Sequence, residues 1–399
     1  NEDFLLMAED IDLYIVCDGM GGALAGEVAS QRAAEVVEQV IRQRFQQGEA
    51  FLRDPTNENR QQLINLVEES IHLANAEVFR MATQDRDKRG MGTTLVLTLF
   101  VGEHAIMAHV GDSRIYLLRA NHIHQLTEDH SLVAEQLRRG LITPEEAESS
   151  NLGNVIMRAV GTREVTQVDT LHLELMPGDR FVLCSDGLHG LVKSPDIGSV
   201  IAALTVEDSV KQLVAMANDG GGHDNITALV VHVDEHAELT CEVPGQQKFE
   251  LMQRIPLFSH LTYKELATVI EVATEREFAQ GDVIIAEDDV EDEFFILLRG
   301  RAAVTKHDRP LANLREGAHF GEMCLLDDAP RSATITAGMD CKVLAIRRSD
   351  FYPVMQREPV LAVKLLWAFC QELIGRLRDT SAELSGAKVQ LGHMNARPG

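Results

Sequence analysis

Two apolar runs of unlike sequence, YIVC at Tyr14–Cys17 and FVLCS at Phe181–Ser185, each deliver an aspartate followed by glycine, Asp18–Gly19 and Asp186–Gly187. A buried strand has to end at a sheet edge, so this pattern sends two carboxylates to the rim of a β-structure. The stretches HVGDSR, with Asp112, and GGHDNIT, with Asp224, place two more aspartates beside glycine or at the end of an apolar run. A lone Asp-Gly is ordinary turn chemistry, but four such stretches in one half of a chain point to a shared site. Two unit charges about 4 Å apart repel by roughly 4 kcal/mol at an effective dielectric of 20, so gathered carboxylates need cations or raised pKa values. All-oxygen donors favour Mg²⁺ or Mn²⁺ over Zn²⁺. The glycines after Asp18 let the backbone come close, so the Gly19 carbonyl is a further hard donor. Two such ions about 3.5 to 4 Å apart can hold a bridging water, lower its pKa and neutralise a phosphoryl group under in-line attack.

The 399 residues are a two- to three-domain length, and 45% hydrophobic content suffices for ordinary cores. A net charge of −25 excludes a broad nucleic-acid surface, which needs clustered Lys and Arg, and suits a cation-requiring protein. No apolar run approaches the roughly 20 residues of a membrane helix, and no basic-then-apolar leader opens the chain. The scattered Cys17, Cys184, Cys241, Cys324, Cys341 and Cys370 form no CxxC pair, as expected of reduced thiols in a cytoplasmic protein. The sequence opens on NEDF without Met, which reads as a fragment.

Residues 1–236 read as mixed α and β. The strand-like runs LYIVC, TTLVLTLFV, AIMAHV, RIYLLR, RFVLC and TALVVHV follow one another mostly through short turns, which predicts antiparallel sheets with helices outside. Three- and four-residue apolar spacing predicts amphipathic helices over Glu27–Phe45 and Arg60–Met81. Residues 237–250 lose periodicity and read as a linker. Residues 251–380 read as a second domain, with a helical stretch over 255–273, glycine-punctuated short strands through Arg347 suggesting a β-roll, and a helix Pro359–Asp379. That last helix carries Val360, Val363, Leu366, Trp367, Cys370, Ile374 and Leu377 on one face, read first as core packing and otherwise as a lid or dimer seam anchored by Trp367. The tail 381–399 is expected to be disordered.

NED, DGMGGALAGEVAS, MGTTL, HVGDSRIYLL, TEDHS, the SDGL element and HDNIT occur in the order found in type 2C metal-dependent serine/threonine phosphatases, which residues 1 to about 233 resemble. The resemblance implies an α-β-β-α sandwich whose two antiparallel sheets hold a binuclear Mn²⁺ or Mg²⁺ centre. Asp18 would bridge the ions, Asp186 and Asp224 would bind one, and the Gly19 carbonyl would contact the other. Glu2 and Asp3 match the acidic pair that binds or orients metal-bound waters, and Asp112 matches an aspartate that, with Asp186, helps hold a third ion. Two departures stand out. The family's phosphate-binding arginine, usually a few residues before NED, is not in this sequence, and Met20 replaces the histidine of animal members, which marks the bacterial form. Residues Arg139 to Gly161 correspond to the family's mobile flap, or to a plain surface loop.

Other chemistry is readable and weaker. Cys341 and Arg347 fit a Cys-x5-Arg spacing, but the intervening KVLAI is a strand pattern without phosphate-cradling glycines. His109, His130, His189 and His223 flank the aspartate motifs and read as hydrogen-bonded structure or surface, while Cys17 and Cys184 read as small buried hydrophobes.

The stretch HFGEMCLLDDAPRSATI, His319–Ile335, sets Gly321 before a short helix and Arg331 before a strand. Gly321 permits close approach, the N–H groups at Glu322 favour an anion, and Arg331 supplies a forked cation. Glu322 beside a phosphate site needs donors of its own, such as a ribose hydroxyl, so ribose plus phosphate implies a nucleotide. The alternative is a surface turn in which Arg331 pairs with Asp327 or Asp328. IPLFSHL, the GDVI element, FFILLRG with RAAVTK, and this cassette together resemble cyclic-nucleotide-binding domains over about Ile255–Arg378. By that resemblance Glu322 meets the ribose 2′-hydroxyl and Arg331 with nearby amides holds the cyclic phosphate of cAMP or cGMP. Ser332 occupies a position associated with cGMP tolerance. No helix-turn-helix follows, which removes a transcription-factor reading, and too few cysteines fall in the roll for an iron-sulfur sensor.

The expected protein is a bacterial phosphoserine/phosphothreonine phosphatase acting in signal transduction on phosphorylated proteins that are targets of a Ser/Thr kinase. It is expected to be regulated by cyclic nucleotide and able to dimerise through its C-terminal helix, without nucleic-acid or membrane partners. The alternative is an inactive sensor or scaffold that transmits nucleotide binding to a partner protein.

Overall fold

Strand alternation sets the layers of the N-terminal half. In the strand Leu13–Met20, Leu13, Ile15 and Cys17 join one apolar cluster with helical residues, whereas the equally buried Val16 lies outside it and turns the other way. The computed structural model describes residues 1–21, 25–54, 56–148, 150, 152, 155–234, 245–325, 329–371, 373–375 and 378. The chain divides into two compact units, Asn1–Glu242 and Val243–Gly399.

The strands of the first unit are β1 (Asp3–Ala8), β2 (Leu13–Met20), β3 (Gly92–Thr93), β4 (Leu95–Val101), β5 (His104–Val110), β6 (Arg114–Arg119), β7 (His122–Gln125), β8 (Asp169–Glu174), β9 (Arg180–Cys184) and β10 (Ala228–His232). They form two antiparallel sheets, ordered β1-β2-β4-β5-β8 with β3 on β2, and β10-β9-β6-β7. The hairpins are tight because Gly102, at φ 59°, and Ala120 and Asn121, at 49° and 62°, accept left-handed backbone between paired strands. The chain passes from the first sheet to the second through Gly111–Ser113, which carries Asp112.

Helices α1 (Ala25–Gln43), α2 (Gln46–Arg53) and α3 (Asn57–Gln84) contribute to the cluster on the first sheet, where Ala29, Val37, Leu63, Val67, Ile71 and Val78 are buried. Both predicted helices are present, and the second is longer than the apolar pattern because Thr56 caps it, accepting from the Asn59 amide at 3.3 Å. Short helices α4 (Leu132–Arg138), α5 (Pro144–Glu148) and α6 (Asp186–His189) follow. Helices α7 (Ser194–Ala203) and α8 (Val206–Asp219) cover the second sheet with Ile197, Ile201 and Leu213. Between the sheets Phe100 of β4 meets Phe181 of β9 edge-on, with ring centroids 5.3 Å apart. The result is the expected α-β-β-α sandwich.

In the second unit, helices α9 (Gly245–Arg254) and α10 (Tyr263–Glu271) precede β11 (Ala273–Phe278), β12 (Val283–Ile285), β13 (Glu293–Arg299), β14 (Arg301–Lys306), β15 (Arg309–Arg315), β16 (His319–Phe320), β17 (Thr334–Ala337) and β18 (Cys341–Arg347). Two four-stranded antiparallel sheets, β11-β18-β13-β16 and β12-β17-β14-β15, share one cluster containing Ile285, Phe295, Leu297, Ile335 and Val343. This is the β-roll.

Three details differ from expectation. Residues 245–250, read as linker, are helical, and the helical stretch expected over 255–273 is confined to α10. Pro256 lacks an N–H to extend α9, and Thr262 with Glu265 forms a capping box that restarts the helix. The face of helix 359–371 read as core is the solvent side: Val363 is 66% and Trp367 64% exposed, while Leu361, Leu365, Ala368 and Phe369 are buried. Apolar residues surround this helix, so spacing alone does not choose a face. A Lys364 ion pair to both carboxylate oxygens of Glu265, at 2.7 and 2.8 Å, helps fix the orientation. Leu377, the linker core 235–244 and the tail 379–399 lie outside the described residues.

Candidate metal centre and anion cassette

Register brings the first two acidic motifs together. Asp3 of β1 stands opposite Asp18 of β2, so adjacent antiparallel strands present both carboxylates at one rim. Asp186 opens α6 directly after β9, and Asp112 sits in the turn that joins the two sheets. Asp18, Asp186 and Asp112 therefore come from different elements into one acidic group.

Charge repulsion leaves a clear signature there. Burial and then the carboxylates of Asp3, Asp186 and Asp112 push Asp18 up to about 10, and its protonated form donates to Asp186. Asp112 rises to about 7 through burial, Asp186 and Asp129. Asp186 rises through burial, opposed by the Asp18 hydrogen bond and reinforced by Asp224. Asp3 also rises through burial, although hydrogen bonds from Thr227 and Ser185 work against it. Asp224 itself is exposed, and one of its oxygens accepts the Asn225 amide at 2.7 Å.

The supporting shell is hydroxyl-rich. Asp3 Oδ2 accepts from Ser185 Oγ at 2.9 Å and Thr227 Oγ1 at 2.6 Å. The Asp18 amide donates to Thr94 Oγ1 at 2.9 Å, and the Asp18 carbonyl accepts from Thr93 Oγ1 and the Thr94 amide. The Glu2 amide donates to Asn225 Oδ1 at 2.6 Å, which ties the chain start to the Asp224 motif. His189 donates from Nε2 to the Asp112 carbonyl at 2.9 Å, and burial pushes it down to about 4, so it stays neutral. Ser185, Thr227, Thr93, Thr94 and Asn225 lie inside the acidic motifs or beside them, and their hydroxyl and amide groups are the only sign in the sequence of this supporting role. Gly19 is required by space: a Cβ there would lie 2.2 Å from the Gly26 carbonyl oxygen and 2.6 Å from that of Glu2. Behind the site, Cys17 and Cys184 are fully buried and burial pushes both thiols up, as inert core residues.

Three buried oxygens of the group, Asp3 Oδ1, Asp112 Oδ1 and Asp186 Oδ1, have no hydrogen-bond partner. Unpaired anionic oxygens in a buried cluster are costly unless cations meet them, so the donor set fits hard divalent ions.

In the second unit the cassette lines a cavity of about 290 Å³, near the lower end of small-ligand sites. Gly321, Glu322, Arg331 and Ser332 share its wall with Ile285, Val304 and Leu314. Gly321 has φ 77°, and a Cβ there would lie 2.8 Å from Arg331 Nη1, so the turn and the cation exclude other residues. Arg331 is buried; Nη1 donates to the Gly321 carbonyl at 3.2 Å, Nη2 to that of Glu293 at 2.5 Å, and Nε has no partner. The Glu293 carboxylate faces Arg276 and Arg347 at 2.5 and 2.9 Å. Among the described residues, then, Arg331 is held by neutral carbonyls at the edge of a cavity; Asp327 and Asp328 lie outside them. Glu322 is buried in the four-residue 3-10 turn Glu322–Leu325.

Residues 1–232 match the family model of protein phosphatase 2C. The chain belongs to this family. It is a metal-dependent serine/threonine protein phosphatase, and residues 275–358 match the cyclic nucleotide-binding domain model. Among its relatives are the protein phosphatase PhpP of Streptococcus pneumoniae, 37% identical over 227 residues that span 56% of this chain and 86% of PhpP, and the serine/threonine phosphatase stp of Listeria monocytogenes, 35% identical over 223 residues, 56% and 84% of the two chains. The crystal structure of the Mycobacterium tuberculosis phosphatase PstP/Ppp superposes with a TM-score of 0.50 at 36% identity, covering 59% of this chain and 93% of that one. The catalytic domain of PstP in complex with two manganese ions gives 0.50 at 34%, covering 59% and 92%. No helix among the described residues is long and apolar enough to cross a membrane.

Proposed function

We propose that this phosphatase hydrolyses phosphoserine and phosphothreonine on proteins at a binuclear Mn²⁺ or Mg²⁺ centre and that cyclic nucleotide bound in the second unit regulates it. The observation that carries the catalytic part is the convergence of carboxylates from both sheets with three buried oxygens unpaired. Asp18, Asp186, Asp224 and the Gly19 carbonyl would hold the two ions, Asp112 with Asp186 would hold a third, and Glu2 and Asp3 would place waters. The ions supply a water of lowered pKa and charge neutralisation at the phosphoryl group. The chain's own part is orientation. Ser185 and Thr227 aim Asp3, Thr94 fixes the Asp18 backbone, and Asn225 anchors Glu2. Substrates would be phosphoproteins made by serine/threonine kinases.

For the second unit, the cavity, the buried Arg331 on neutral carbonyls and the match to cyclic nucleotide-binding domains support a cAMP or cGMP site. Arg331 would meet the phosphate, Glu322 the ribose and Ser332 a further polar atom. Regulation requires that the nucleotide bind active and inactive arrangements unequally, since equal affinity shifts nothing. The exposed face of helix 359–371, with Val363, Leu366 and Trp367, supports a homodimer. The domain division we adopt is a phosphatase domain over 1–236 and a regulatory domain over 251–380. Phosphothreonine-peptide hydrolysis in Mn²⁺, with and without cAMP or cGMP, tests both parts: no hydrolysis rejects the enzyme in favour of a scaffold, and an unchanged rate at saturating nucleotide rejects regulation.

A further inference from the structure

The 3-10 turn Glu322–Leu325 buries Glu322, Cys324 and Leu325 and leaves Met323 55% exposed. Its first bond sets the direction of the cysteine. The Cys324 amide donates to the Gly321 carbonyl at 3.2 Å, and the same carbonyl accepts Arg331 Nη1 at 3.2 Å. One oxygen therefore places a thiol and a guanidinium side by side in the wall of the cavity of about 290 Å³. Arg348 holds the turn from another side, donating from Nε to the Cys324 carbonyl at 2.5 Å.

Among the described cysteines, Cys324 is the one in the cavity wall. Cys17 and Cys184 are fully buried, and Cys370 is exposed. Cys341 is buried in the same roll, with its thiol donating to the Arg301 and Met339 carbonyls, both at 3.1 Å. Burial raises the Cys324 thiol, while the charge of Arg331, its hydrogen bond to the sulfur and the charge of Arg348 work in the opposite direction. Arg331 gives an independent sign that the cavity takes an anion. It is 7% exposed, lines the same wall, and its Nε has no partner. A cation buried on neutral carbonyls has its charge left to be met.

We propose that Cys324 is a modification site, oxidised by hydroperoxide entering the cavity to a sulfinate that Arg331 holds in the place of a ligand's phosphate. In the first step the sulfur takes one oxygen from the peroxide as the O–O bond breaks, and water leaves: R–SH + H₂O₂ → R–SOH + H₂O. A second peroxide oxidises the sulfenic acid in the same way, and the sulfinic acid passes its proton to solvent as R–SO₂⁻. At each step sulfur loses an electron pair and one peroxide is reduced. The sulfinate spreads its charge over two oxygens, the arrangement that a guanidinium fork meets with paired donors. Oxidation and cyclic nucleotide then exclude each other, a consequence that rests on the nucleotide reading given above.

The test exposes the full chain to hydrogen peroxide and follows each cysteine by mass spectrometry of its peptide. Cys324 gains two oxygens about tenfold faster than Cys341 or more, and saturating cAMP or cGMP slows it by about tenfold. Calorimetry after peroxide shows nucleotide affinity reduced about tenfold or more in wild type, whereas Cys324→Ser keeps the affinity it had before treatment. Equal oxidation of Cys324 and Cys341 overturns the proposal, because the thiol is then reached by unfolding and not through the cavity. Bound nucleotide that leaves the rate unchanged overturns it too. So does a loss of affinity in the treated serine variant, which assigns the damage to Met323 in the same wall. If Cys324→Ser does not fold, Cys324→Ala takes its place. If untreated wild type binds neither nucleotide, the nucleotide reading fails, and the ratio of Cys324 to Cys341 oxidation decides the proposal by itself.

Discussion

Ser185 Oγ donates to Asp3 Oδ2 at 2.9 Å, so a hydroxyl that follows a strand of one sheet fixes a carboxylate on a strand of the other. Ser185 also accepts the Thr227 amide at 3.1 Å, and Thr227 in turn donates to the same Asp3 oxygen. Removing the hydroxyl in Ser185→Ala leaves Asp3 half-oriented. Mn²⁺ affinity, read by calorimetry, falls about tenfold, in the range expected for groups that orient metal ligands.

Asp18→Asn separates metal chemistry from folding. Activity falls about a thousandfold or more, since the bridging carboxylate is gone. Thermal stability in EDTA moves the other way. In the metal-free fold Asp18 titrates at about 10 against an ordinary 3.8, so the fold holds a proton that the unfolded chain releases. An acid with a raised folded pKa stabilises at low pH and loses that contribution as pH rises between the two values. At pH 8 the asparagine variant in EDTA therefore melts above wild type, and a gap between the two that does not widen as pH rises from 5 to 9 contradicts this.

The His104–His172 pair predicts acid sensitivity. His172 Nε2 lies 3.0 Å from His104 Nδ1, one ring stacks on the other, and Phe51 meets His104 edge-on. Burial lowers both rings, His172 well below its usual value, with Arg60 adding to the effect. For a base with a depressed folded pKa, the unfolded chain takes up protons first. The contribution to stability is present above about pH 6.5 and is lost as pH falls below it. His172→Phe, measured by denaturant melts at pH 7.5 and 5, narrows the difference between the two pH values; an unchanged difference would show that the pair does not set acid stability.

Arg331→Ala removes the cavity's cation. Charge-assisted hydrogen bonds contribute about 1.5–3 kcal/mol, so cyclic nucleotide affinity falls by about tenfold to a hundredfold. Calorimetry with cAMP and cGMP reads it, and undiminished affinity rejects the cassette. Arg331→Lys does not restore binding, since a point ammonium cannot reach both carbonyls and a phosphate.

Trp367→Glu tests self-association. Trp367 is 64% exposed beside Leu366 and Val363. Sedimentation of wild type yields a dimer and of the variant a monomer; identical behaviour of the two excludes this face as the seam.

Much of this was legible because chemistry and periodicity coincide. Asp18 and Asp186 follow apolar runs long enough to identify strands, and α1 and α3 bury residues at the spacing that predicts them, such as Val37, Ile41, Leu63 and Ile71. The layer order was carried by family resemblance, because alternation tells that Cys17 and Asp18 point oppositely but not which sheet each faces. The hydroxyls on Asp3 were hidden, since Ser185 and Thr227 meet it from 182 and 224 residues away. Helix 359–371 was misread because apolar residues lie all round it, and the choice of buried face rests on Leu361, Leu365 and Phe369 finding partners that spacing does not reveal. Arg331 lines the cavity beside Gly321 and Glu322 of the same cassette, whereas its two carbonyl acceptors depend on the Gly321 turn and on Glu293, far from it in sequence.

The edge-on contact of Phe100 with Phe181 lies in the seam between the plates whose rims supply the acidic oxygens. A cation held by oxygens from both plates acts as a rivet, and a rivet tolerates little slip. The aromatic seam therefore works as a gauge block: its thickness and stagger determine whether the rivet holes line up. Substitutions there, remote from every reacting atom, would retune the centre by sliding one plate over the other.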